Sequence, residues 1–523
     1  MSVNLSVNYK GVILRAFEQF RLKSCIDFKP RAVEDISYIS VESRDGCWSY
    51  VGRTFAGAQT LSIGNGCGIK GIVEHEFLHA LGFWHEQSRY DRDDYVTINF
   101  TNIIIGREHN FKKYYKNVTT TQDTPYDYYS VMHYDKNAFS NGNGSTIITK
   151  HPEFQDVIGQ LLDMSEYDVI ELSKLYKCNS SISFLDHCSF DDESLCQMSV
   201  CSAADYGWQR VKSVSGISVT DHTHSGKEQN GASFFMHFST EGRNGEGGAA
   251  RIESKIMTPK RDCKVQCLQF YYYHSGHESD QLNIWIREYQ NEAAEELSHL
   301  WIRSQIRDLE KVLNNNVSGI WMHSPLYYSS DGYRFQARLG VYQNYLSIHV
   351  RLVSGAYDDQ LQWPCPWRQI TFQVLDQNPH IQKRMSSEQS ITTDPTLVSS
   401  NGNRYWDNPR NTGTRVVIGN ETLYVGPFLG QYGIMKDDLT IREFIKDGDI
   451  IILFSMQDIS VLLQKDSLPC AKVKVKNINI TPDAIAQQGP CAPSECVDKL
   501  CNSGAKTASS LIILVACFLL LAS

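Results

Sequence analysis

One segment of the sequence carries the residue types and the spacing of a catalytic zinc site. It reads His75-Glu-Phe-Leu-His79-Ala-Leu-Gly-Phe-Trp-His85. On an α-helix, positions i and i+4 share one face, so His75 and His79 can present two imidazoles to the same metal ion. Glu76 cannot point at that metal itself, but it can reach a metal-bound water and take its proton. The pattern therefore predicts a helix that binds one zinc ion per chain.

The residues after the second histidine supply a third ligand. Gly82 can adopt left-handed backbone angles without steric cost, so the chain can turn sharply there. The turn brings His85 back towards the metal. Three protein ligands and one open position are typical of a catalytic zinc. The five-residue pattern HEFLH alone can arise by chance, but the glycine and the third histidine at their positions argue against a chance match.

A second motif, Ser130-Val-Met-His-Tyr134, comes directly after a tyrosine-rich stretch. Taken alone, it is typical of core packing with a buried tyrosine. Beside the extended zinc motif, it is predicted to form the tight Met-turn that supports the ligands from below.

Length and composition indicate a large secreted protein. With 523 residues the chain is expected to form several domains. Its net charge of −9 and the absence of a long basic run do not predict nucleic-acid binding. Fifteen cysteines without a CxxC…CxxC module favour an oxidising compartment. Seven glycosylation sequons agree with this, at Asn99, Asn117, Asn143, Asn179, Asn316, Asn420 and Asn479.

The two ends of the sequence bear on localisation. The first residues contain no basic region, apolar region or cleavage site of a signal peptide, which indicates either a cytosolic protein or a missing N-terminus. We favour the missing N-terminus. The C-terminal run LIILVACFLLLA comes after small residues at 502–505 and a short polar stretch. This layout predicts a GPI-attachment signal or a short membrane anchor, with an incidental apolar tail as the remaining alternative.

The sequence resembles the astacin family of metalloendopeptidases over residues 11–178. The resemblance rests on HEFLHALGFWHEQSRYDRDDYVTINF, GCWSYVG and SVMHY. The part of the chain beyond residue 178 is similar to the meprins, in particular the beta-type ones. A MAM-like part contains CSFDDESLC, DYGWQRV and DQLNIWIREY, and a MATH-like part contains DDQLQWPCPW, RMSSEQSITTDP and WDNP.

This resemblance implies a multidomain architecture. We expect an α+β, metzincin-type protease domain at 1–178 that is incomplete at its N-terminus, followed by two all-β sandwich domains. These are a MAM-like domain at 186–297, apparently truncated at its C-terminal end, and a TRAF-like MATH domain at 298–464. A cysteine-containing stalk at 465–508 and the apolar anchor or GPI signal at 509–523 complete the chain.

The resemblance also implies roles for individual residues. Zinc would be bound by His75, His79 and His85, and Glu76 would be the general base. Tyr134 would be an additional ligand that leaves the metal and donates to the developing oxyanion. Met132 would form the apolar floor of the site. The family pattern further implies the disulfides Cys25–Cys178 and Cys47–Cys67.

Three features depart from the family pattern. The family's mature N-terminus meets the residue equivalent to Glu86, so without that partner Glu86 is expected to carry an unpaired buried charge, which costs several kcal/mol. The family's interchain MAM cysteine would fall near Gln229, so a disulfide-linked dimer is not supported, although a homo-oligomer through MAM and MATH stays open. Leu161 occupies a position where beta-type meprins carry Arg. Its pocket is therefore expected to prefer apolar or mixed residues just after the scissile bond.

Two functions are consistent with these observations. The first is a zinc-dependent endopeptidase that hydrolyses internal bonds of proteins and peptides, with Glu76 activating a zinc-bound water and Tyr134 stabilising the oxyanion. The enzyme would act at the extracellular face of the plasma membrane or in secreted form. The alternative is a non-catalytic surface protein that uses its MAM and MATH domains for adhesion.

Overall fold

The fold is that of a computed structural model of the chain. This structure describes residues 1–2, 4–201, 207–215, 221–224, 233–238, 250–261, 265–273, 282, 284–291, 294–300, 319–446, 448–464, 468 and 513–516. Apart from Leu468 and residues 513–516, the predicted stalk and tail lie outside the described residues. Gln229, on which the expectation about an interchain disulfide depends, also lies outside them.

The chain begins with a long amphipathic helix, α1, which spans Val7–Lys23. The Ser6 hydroxyl accepts a backbone N–H in the first turn and so caps the helix. Ile13, Ala16 and Phe20 recur at helical spacing and are fully buried. This apolar face packs against the second helix.

A small sheet and the second helix come next. The strands are β1 (Tyr38–Glu42), β2 (Cys47–Ser49) and β3 (Ala58–Ile63). Their order is β1-β3-β2, with β1 parallel and β2 antiparallel to β3. Helix α2 spans Lys70–Ala80 and contains the first two histidines of the zinc motif. Its residues Val73, Phe77 and Leu78 are buried against α1 and the sheet, which holds α2 rigidly.

The first region ends with a hairpin and a third helix. Strand β4 (Val96–Ile98) pairs antiparallel with β5 (Ile147–Thr149). Helix α3 spans Glu166–Leu175. Ser165 and Asp168 form a reciprocal capping box at its start. Residues 1–178 thus form an α+β unit, as expected.

Disulfides close this unit and the start of the next. Cys25, just after α1, is bonded to Cys178, just after α3, across 153 residues of sequence. A second bond joins Cys47 of β2 to Cys67 before α2. The structure therefore forms both pairs that the family resemblance implies. A third bond joins Cys188 to Cys196.

The middle region consists of short strands in its described parts. They are β6 (Ser199–Cys201), β7 (Trp208–Val211), β8 (Phe235–Phe238), β9 (Arg251–Glu253), β10 (Val265–Leu268), β11 (Ile284–Asn291) and β12 (Ala294–Leu300). Strand pairs β6–β9, β7–β8 and β11–β12 are antiparallel. Strand β10 pairs parallel with β24 (Ile513–Ala516).

The C-terminal region contains two stacked sheets. The larger has six strands: β13 (Ile320–Tyr328), β14 (Arg334–Val341), β15 (Tyr345–Val353), β18 (Thr414–Ile418), β19 (Glu421–Val425) and β20 (Leu429–Met435). Its order is β13-β14-β15-β19-β18, and β20 also pairs with β15. The smaller sheet has the order β17-β16-β23, from β16 (Arg368–Val374), β17 (Ser387–Thr392) and β23 (Ile452–Asp458).

Apolar side chains from both sheets form one core between them. Phe335, Val350, Phe372 and Trp406 are among its buried members. Two one-turn helices, α4 (Pro409–Thr412) and α5 (Asp438–Ile441), and a hairpin of β21 (Ile445–Lys446) with β22 (Asp449–Ile450) complete this β-sandwich.

Helix α1 also contacts the C-terminal sandwich, and we call this contact the α1–β17 interface. Arg15 forms two hydrogen bonds of 2.8 Å to the carboxylate of Glu388 on β17. Lys23 Nζ donates to the backbone carbonyl of Arg384 at 2.8 Å. Lys10 Nζ donates to the carbonyl of Leu462 at 2.9 Å. The first and last regions therefore share a polar interface. In the described residues, no helix is long and apolar enough to cross a membrane.

Candidate active site

Helix α2 presents His75 and His79 on one face, as their spacing predicts. His75 Nδ1 lies 2.7 Å from the carbonyl oxygen of Val131, and His79 Nδ1 lies 2.7 Å from that of Phe83. A carbonyl only accepts, so each Nδ1 carries the proton and donates it. The unprotonated Nε2 of both rings is therefore left to face the third histidine.

The chain turns after α2 at Gly82. Gly82 has φ of +108°, which side chains other than glycine rarely tolerate. The backbone N–H groups of Gly82 and Phe83 bond to the carbonyls of His79 and Leu78 at 2.9 and 3.0 Å, and so close the helix end. The turn brings His85 Nε2 to 3.2 Å from His75 Nε2 and to 3.1 Å from His79 Nε2.

These three nitrogens fit a zinc ion. A tetrahedral zinc with Zn–N bonds of about 2.0–2.1 Å separates two ligand nitrogens by about 3.3–3.4 Å. The Nε2 atoms of His75 and His79 both lack a proton, and His85 can donate to only one of them. A shared cation relieves the repulsion that remains. Among the described residues, His75, His79 and His85 form the one group whose donor atoms lie close enough together to hold a metal ion.

The protonation states suit metal binding as well. Burial lowers the pKa of His75, and it lowers the pKa of His79 to about 3, with a further contribution from the charge of His75. Burial and the two neighbouring imidazoles also lower the pKa of His85. All three rings are therefore neutral at physiological pH, which is the form that binds metal.

Glu76 lies beside this cluster with one carboxylate oxygen unsatisfied. The residue is buried, and its Oε2 has no hydrogen-bond partner among the described residues. Burial raises the pKa of Glu76 to about 8. This pKa keeps Glu76 protonated at pH 7 when no cation is near. A cation held by the three histidines would favour the ionised carboxylate, which can accept a proton from a molecule that enters the site.

Tyr134 and Met132 lie where the Ser130–Tyr134 turn passes the histidines. The Tyr134 ring centroid is 4.4 Å from that of His85. Burial, followed by the charge of Glu76, raises the pKa of Tyr134 to about 12, so the phenol stays protonated and can donate. Met132 is buried in the core next to α2, and its carbonyl accepts the N–H of Glu86 at 3.0 Å.

Glu86 has a partner inside the chain, so the expectation of an unpaired charge is wrong. Arg89 Nη1 donates to Glu86 Oε1 at 3.0 Å, and the backbone N–H of Asp127 donates to the same oxygen at 2.8 Å. Arg89 also lies 3.6 Å from Glu171. Burial nevertheless raises the pKa of Glu86, because the attraction of Arg89 does not fully offset it.

Asp168 is a residue that the sequence motifs did not reveal. It accepts the Ser130 hydroxyl at 2.6 Å and the Val131 N–H at 2.9 Å. The same carboxylate accepts the Ser165 N–H at 2.9 Å. Because the Val131 carbonyl accepts the hydrogen bond of His75, Asp168 is connected to a metal ligand through the backbone of one residue, Val131. The capping pattern Ser165-x-x-Asp168 was the available sequence signal.

A second group that the motifs did not reveal lies behind α2. Lys23 Nζ is 2.6 Å from Asp163 Oδ1, and Lys70 Nζ contacts the other oxygen of Asp163. Glu74, next to the first histidine, accepts the Met164 N–H at 3.0 Å and lies 3.9 Å from Lys70. All four ionic side chains are buried. No local pattern connects them, because they come from three distant parts of the sequence.

Leu161 lies at the surface beside the start of α2. Its side chain is 42% exposed. Its carbonyl oxygen occupies the space that a Cβ on Gly71 would need, so the two backbones approach as closely as glycine permits. This contact places Leu161 one turn of helix before His75.

Three family descriptions match the chain in sequence order. The astacin peptidase family matches residues 1–177, and the MAM domain, meprin/A5/mu, matches residues 188–310. The TRAF/meprin MATH domain matches residues 320–449. With the histidine cluster on α2, these matches define a zinc-dependent metalloendopeptidase followed by MAM and MATH domains.

Comparison with individual relatives narrows the family to which the chain belongs. Human meprin A subunit beta is 43% identical over 541 aligned residues, which cover 91% of this chain and 76% of the relative. Rat meprin A subunit alpha is 36% identical over 552 residues, which cover 93% of this chain and 72% of the relative. The chain belongs to the meprin family of astacin-type metalloendopeptidases.

A solved structure also matches part of this chain. It is high choriolytic enzyme 1, a hatching enzyme zinc-protease from the medaka fish Oryzias latipes. It is 43% identical, with a TM-score of 0.32, and the match covers 34% of this chain and 87% of that one.

Proposed function

We propose that this chain cleaves internal peptide bonds of proteins and peptides with one zinc ion, held by His75, His79 and His85. When bound, the zinc polarises the scissile carbonyl and makes a water molecule more acidic. The observation that supports this proposal most directly is the convergence of three Nε2 atoms beside the unsatisfied oxygen of Glu76.

Glu76 is proposed as the general base. The positive charge of the bound zinc favours the ionised carboxylate, whose free oxygen takes a proton from the attacking water. The same carboxyl group can then deliver the proton to the leaving amine, since one residue can act as base and then as acid. Burial keeps this transfer isolated from bulk water.

Tyr134 is proposed to stabilise the oxyanion. A phenol whose pKa is raised to about 12 remains a hydrogen-bond donor throughout the working pH range. The contact of its ring with His85 keeps the side chain next to the ligands. A donor in this position acts where negative charge develops on the substrate carbonyl oxygen. Met132 and Gly82 shape the site around these groups without taking part in the reaction.

Comparison of the parent chain with a Glu76→Gln variant tests the catalytic proposal. The variant keeps the shape of the side chain but cannot take a proton. We expect the parent to cleave casein and the variant to lose nearly all of that activity while it retains zinc, measured by elemental analysis of the dialysed protein. His79→Ala should lose both zinc and activity.

Glu108→Gln is the matched control, since Glu108 is an exposed carboxylate of the same domain. It should cleave casein like the parent. Equal and weak activity of the parent and Glu76→Gln, with zinc bound to both, would instead support the alternative of a non-catalytic adhesion protein.

We further infer that the protein works outside the cell, either secreted or tethered to the membrane at its C-terminus. The three disulfides within the described residues support an oxidising compartment, and the exposed sequon residues Asn117, Asn143, Asn179 and Asn420 suit a glycosylating one. Cell-surface biotinylation combined with deglycosylation should show a surface protein that loses mass. Release by a phosphatidylinositol-specific phospholipase would identify a GPI anchor.

The MAM and MATH domains are proposed to support association with other proteins, including a second copy of this chain. Self-association would give the protein a molar mass in solution that is a multiple of the mass of one chain. Light scattering of the purified ectodomain measures it directly.

A further inference from the structure

Three aromatic rings contact the side chain of Tyr134. The ring centroid of His85 lies 4.4 Å from that of Tyr134, the centroid of Phe139 lies 5.7 Å away, and the centroid of Phe111 lies 6.0 Å away. Phe111 and Phe139 also contact each other, with 6.2 Å between their centroids. Aromatic rings attract one another at such separations. The phenol therefore touches a proposed zinc ligand and a pair of phenylalanines at the same time.

Phe139 differs from Phe111 in how its ring is held. Phe111 is fully buried and belongs to the core of the domain. Phe139 is only half-buried, and its backbone has φ of +53°. A bulky residue rarely adopts this left-handed conformation, because its Cβ crowds the following carbonyl oxygen. Such strain persists only where the surrounding structure enforces it, and it is concentrated at functional sites.

The neighbouring backbone enforces the conformation of Phe139. Its carbonyl accepts the N–H of Ile104 at 2.9 Å, and the N–H of Ser140 bonds to the carbonyl of Asn137 at 2.9 Å. Ile103 and Ser140 form an antiparallel bridge. The chain is thus held on both sides of the strained residue, which fixes the point from which its ring extends towards Tyr134.

The backbone of Tyr134 is fixed as well. Its N–H donates at 3.0 Å to Oε1 of Gln87, which is fully buried. Movement of the phenol therefore depends on rotation of its side chain, and the rings of His85, Phe111 and Phe139 occupy space that such a rotation would need. Of these three, Phe139 is neither a proposed zinc ligand nor fully buried.

We propose that Phe139 is a positioning residue for Tyr134: its ring limits the rotation of the phenol and keeps the hydroxyl beside the ligands, where it donates to the oxyanion. Phe139 acts through the Tyr134 hydroxyl and not on the substrate directly. This inference rests on the proposed function, because it presupposes the role of Tyr134 given there. The competing roles are a side chain that only fills space and a side chain that contacts the substrate.

A comparison of single and double variants separates these roles. Phe139→Leu keeps an apolar side chain but removes the ring, and it is made in the parent chain and in Tyr134→Phe. In the parent chain we expect kcat on a fluorogenic peptide to fall by about tenfold, with KM little changed. In Tyr134→Phe, where the hydroxyl is already absent, the same substitution should cause almost no further loss.

Binding of a transition-state analogue provides a readout that needs no turnover. The probe is a phosphinic peptide, whose tetrahedral phosphinate resembles the tetrahedral intermediate, and isothermal titration calorimetry measures its affinity. Phe139→Leu should weaken binding by about tenfold in the parent chain and hardly at all in Tyr134→Phe. The zinc content from elemental analysis should be equal in all four proteins.

Phe154→Leu is the matched control. Phe154 is a half-buried phenylalanine of the same domain, and its ring stacks on that of Tyr128 with 4.6 Å between the centroids. This variant should lower the melting temperature without changing kcat or the affinity for the phosphinic peptide. Phe139→Met replaces Phe139→Leu if circular dichroism shows that the leucine variant is unfolded.

Four results would overturn the proposal while the parent chain still cleaves the peptide, so that the proposed function stands. They are an unchanged kcat in Phe139→Leu, an equal loss of kcat in the two backgrounds, a rise in KM in place of the fall in kcat, and the same loss in Phe154→Leu. A parent chain that holds zinc but neither cleaves the peptide nor binds the phosphinic peptide would contradict the proposed function itself, and the role of Phe139 with it.

Discussion

At the scale of single residues, main-chain carbonyls determine which nitrogen of each imidazole faces the metal position. The carbonyls of Val131 and Phe83 take the Nδ1 protons of His75 and His79, and so direct both Nε2 atoms at His85. No side-chain substitution removes these acceptors. Their positions depend instead on the backbone that carries them, which links the chemistry to the turns after α2 and before α3.

The proposed role of Tyr134 leads to a kinetic prediction. Tyr134→Phe removes the hydroxyl but keeps the ring that packs on His85. We expect kcat to fall by about a hundredfold or more, with little change in KM, because the lost hydrogen bond acts mainly on the transition state. Steady-state kinetics on a fluorogenic peptide measure both quantities.

Tyr128→Phe is the control for this variant. Tyr128 is a buried tyrosine of the same domain, and its hydroxyl donates to the Tyr95 carbonyl at 2.8 Å and not to a histidine of the zinc motif. It should lose some stability but little activity. Equal losses of kcat in the two variants would show that Tyr134 has only a packing role.

Leu161 leads to a prediction about specificity. Leu161→Arg places a guanidinium at the surface beside α2 and should favour an acidic residue just after the scissile bond. A hydrogen bond to a charged group contributes about 1.5–3 kcal/mol, which corresponds to about tenfold to a hundredfold in relative cleavage. Mass spectrometry of a cleaved peptide library measures the preference.

The same change at Leu397, another exposed leucine, is the control, since Leu397 lies in the MATH domain. A dominant preference for Asp or Glu already in the parent chain would contradict the interpretation of Leu161.

At the scale of elements, the start of α3 supports the turn that carries Met132 and Tyr134. Asp168 caps α3 and also binds Ser130 and Val131. We predict that Asp168→Asn weakens zinc binding by about tenfold, since partners that orient ligands typically affect metal affinity by about 10–100-fold. Competition with a chelator measures the affinity, and the absorption spectrum of the cobalt-substituted protein reports ligand geometry.

Asp376→Asn provides a matched control for this effect. Asp376 is a fully buried carboxylate of the MATH domain that accepts the N–H groups of Met385 and Asn378 at 2.9 and 3.0 Å. Asp376→Asn should lower the melting temperature about as much as Asp168→Asn does, but it should leave the zinc affinity unchanged. A shift of zinc affinity in both variants would indicate general destabilisation rather than positioning.

Local spacing explains how much of this site could be predicted from the sequence. His75, His79, Gly82 and His85 lie within eleven residues, so helix geometry and one turn bring them together. Arg89 also lies one helical turn from Glu86, and that pair could have been anticipated. The buried Lys23–Asp163 pair could not, because 140 residues separate its members and only the tertiary fold joins them.

The fold of each domain could be predicted from the sequence, but the contact between the domains could not. The family resemblance implies all-β domains after the protease domain, and the structure confirms β-rich sheets in the C-terminal region. The α1–β17 interface has no comparable signal, because Arg15 and Glu388 are 373 residues apart and each looks like an ordinary surface charge in its own segment.

At the scale of the whole molecule, the α1–β17 interface couples the protease domain to the MATH domain. Burial alone raises the pKa of Glu388, but the charge and hydrogen bonds of Arg15 outweigh this, so the pKa lies below its usual value. The stabilisation is therefore complete above the ordinary glutamate pKa of about 4.3 and is lost as the pH falls through the lower folded pKa.

We predict that Glu388→Gln lowers the free energy of unfolding at pH 7 by about 1.5 kcal/mol, the lower end for charged hydrogen bonds. The lower end applies because the Arg15 side chain remains 30% exposed. The difference from the parent should shrink as the pH falls below about 4. Thermal unfolding of the full chain across this pH range measures it.

Glu421→Gln is the control, because the Glu421 side chain in its pair with Arg334 is 59% exposed. Exposed pairs contribute little, so this variant should melt close to the parent at every pH. A pH-independent difference for Glu388→Gln would contradict the ionic origin of the coupling.

The disulfide between Cys25 and Cys178 has a consequence for self-digestion. Any single cut in a loop between these two cysteines leaves both fragments covalently attached, because the bond joins the two ends of the segment. A nicked enzyme would migrate as an intact chain on a non-reducing gel and separate into two bands only after reduction. Residues of the active site lie on both sides of such loops. The disulfide would therefore keep them together after a cut that would otherwise release one of the two fragments.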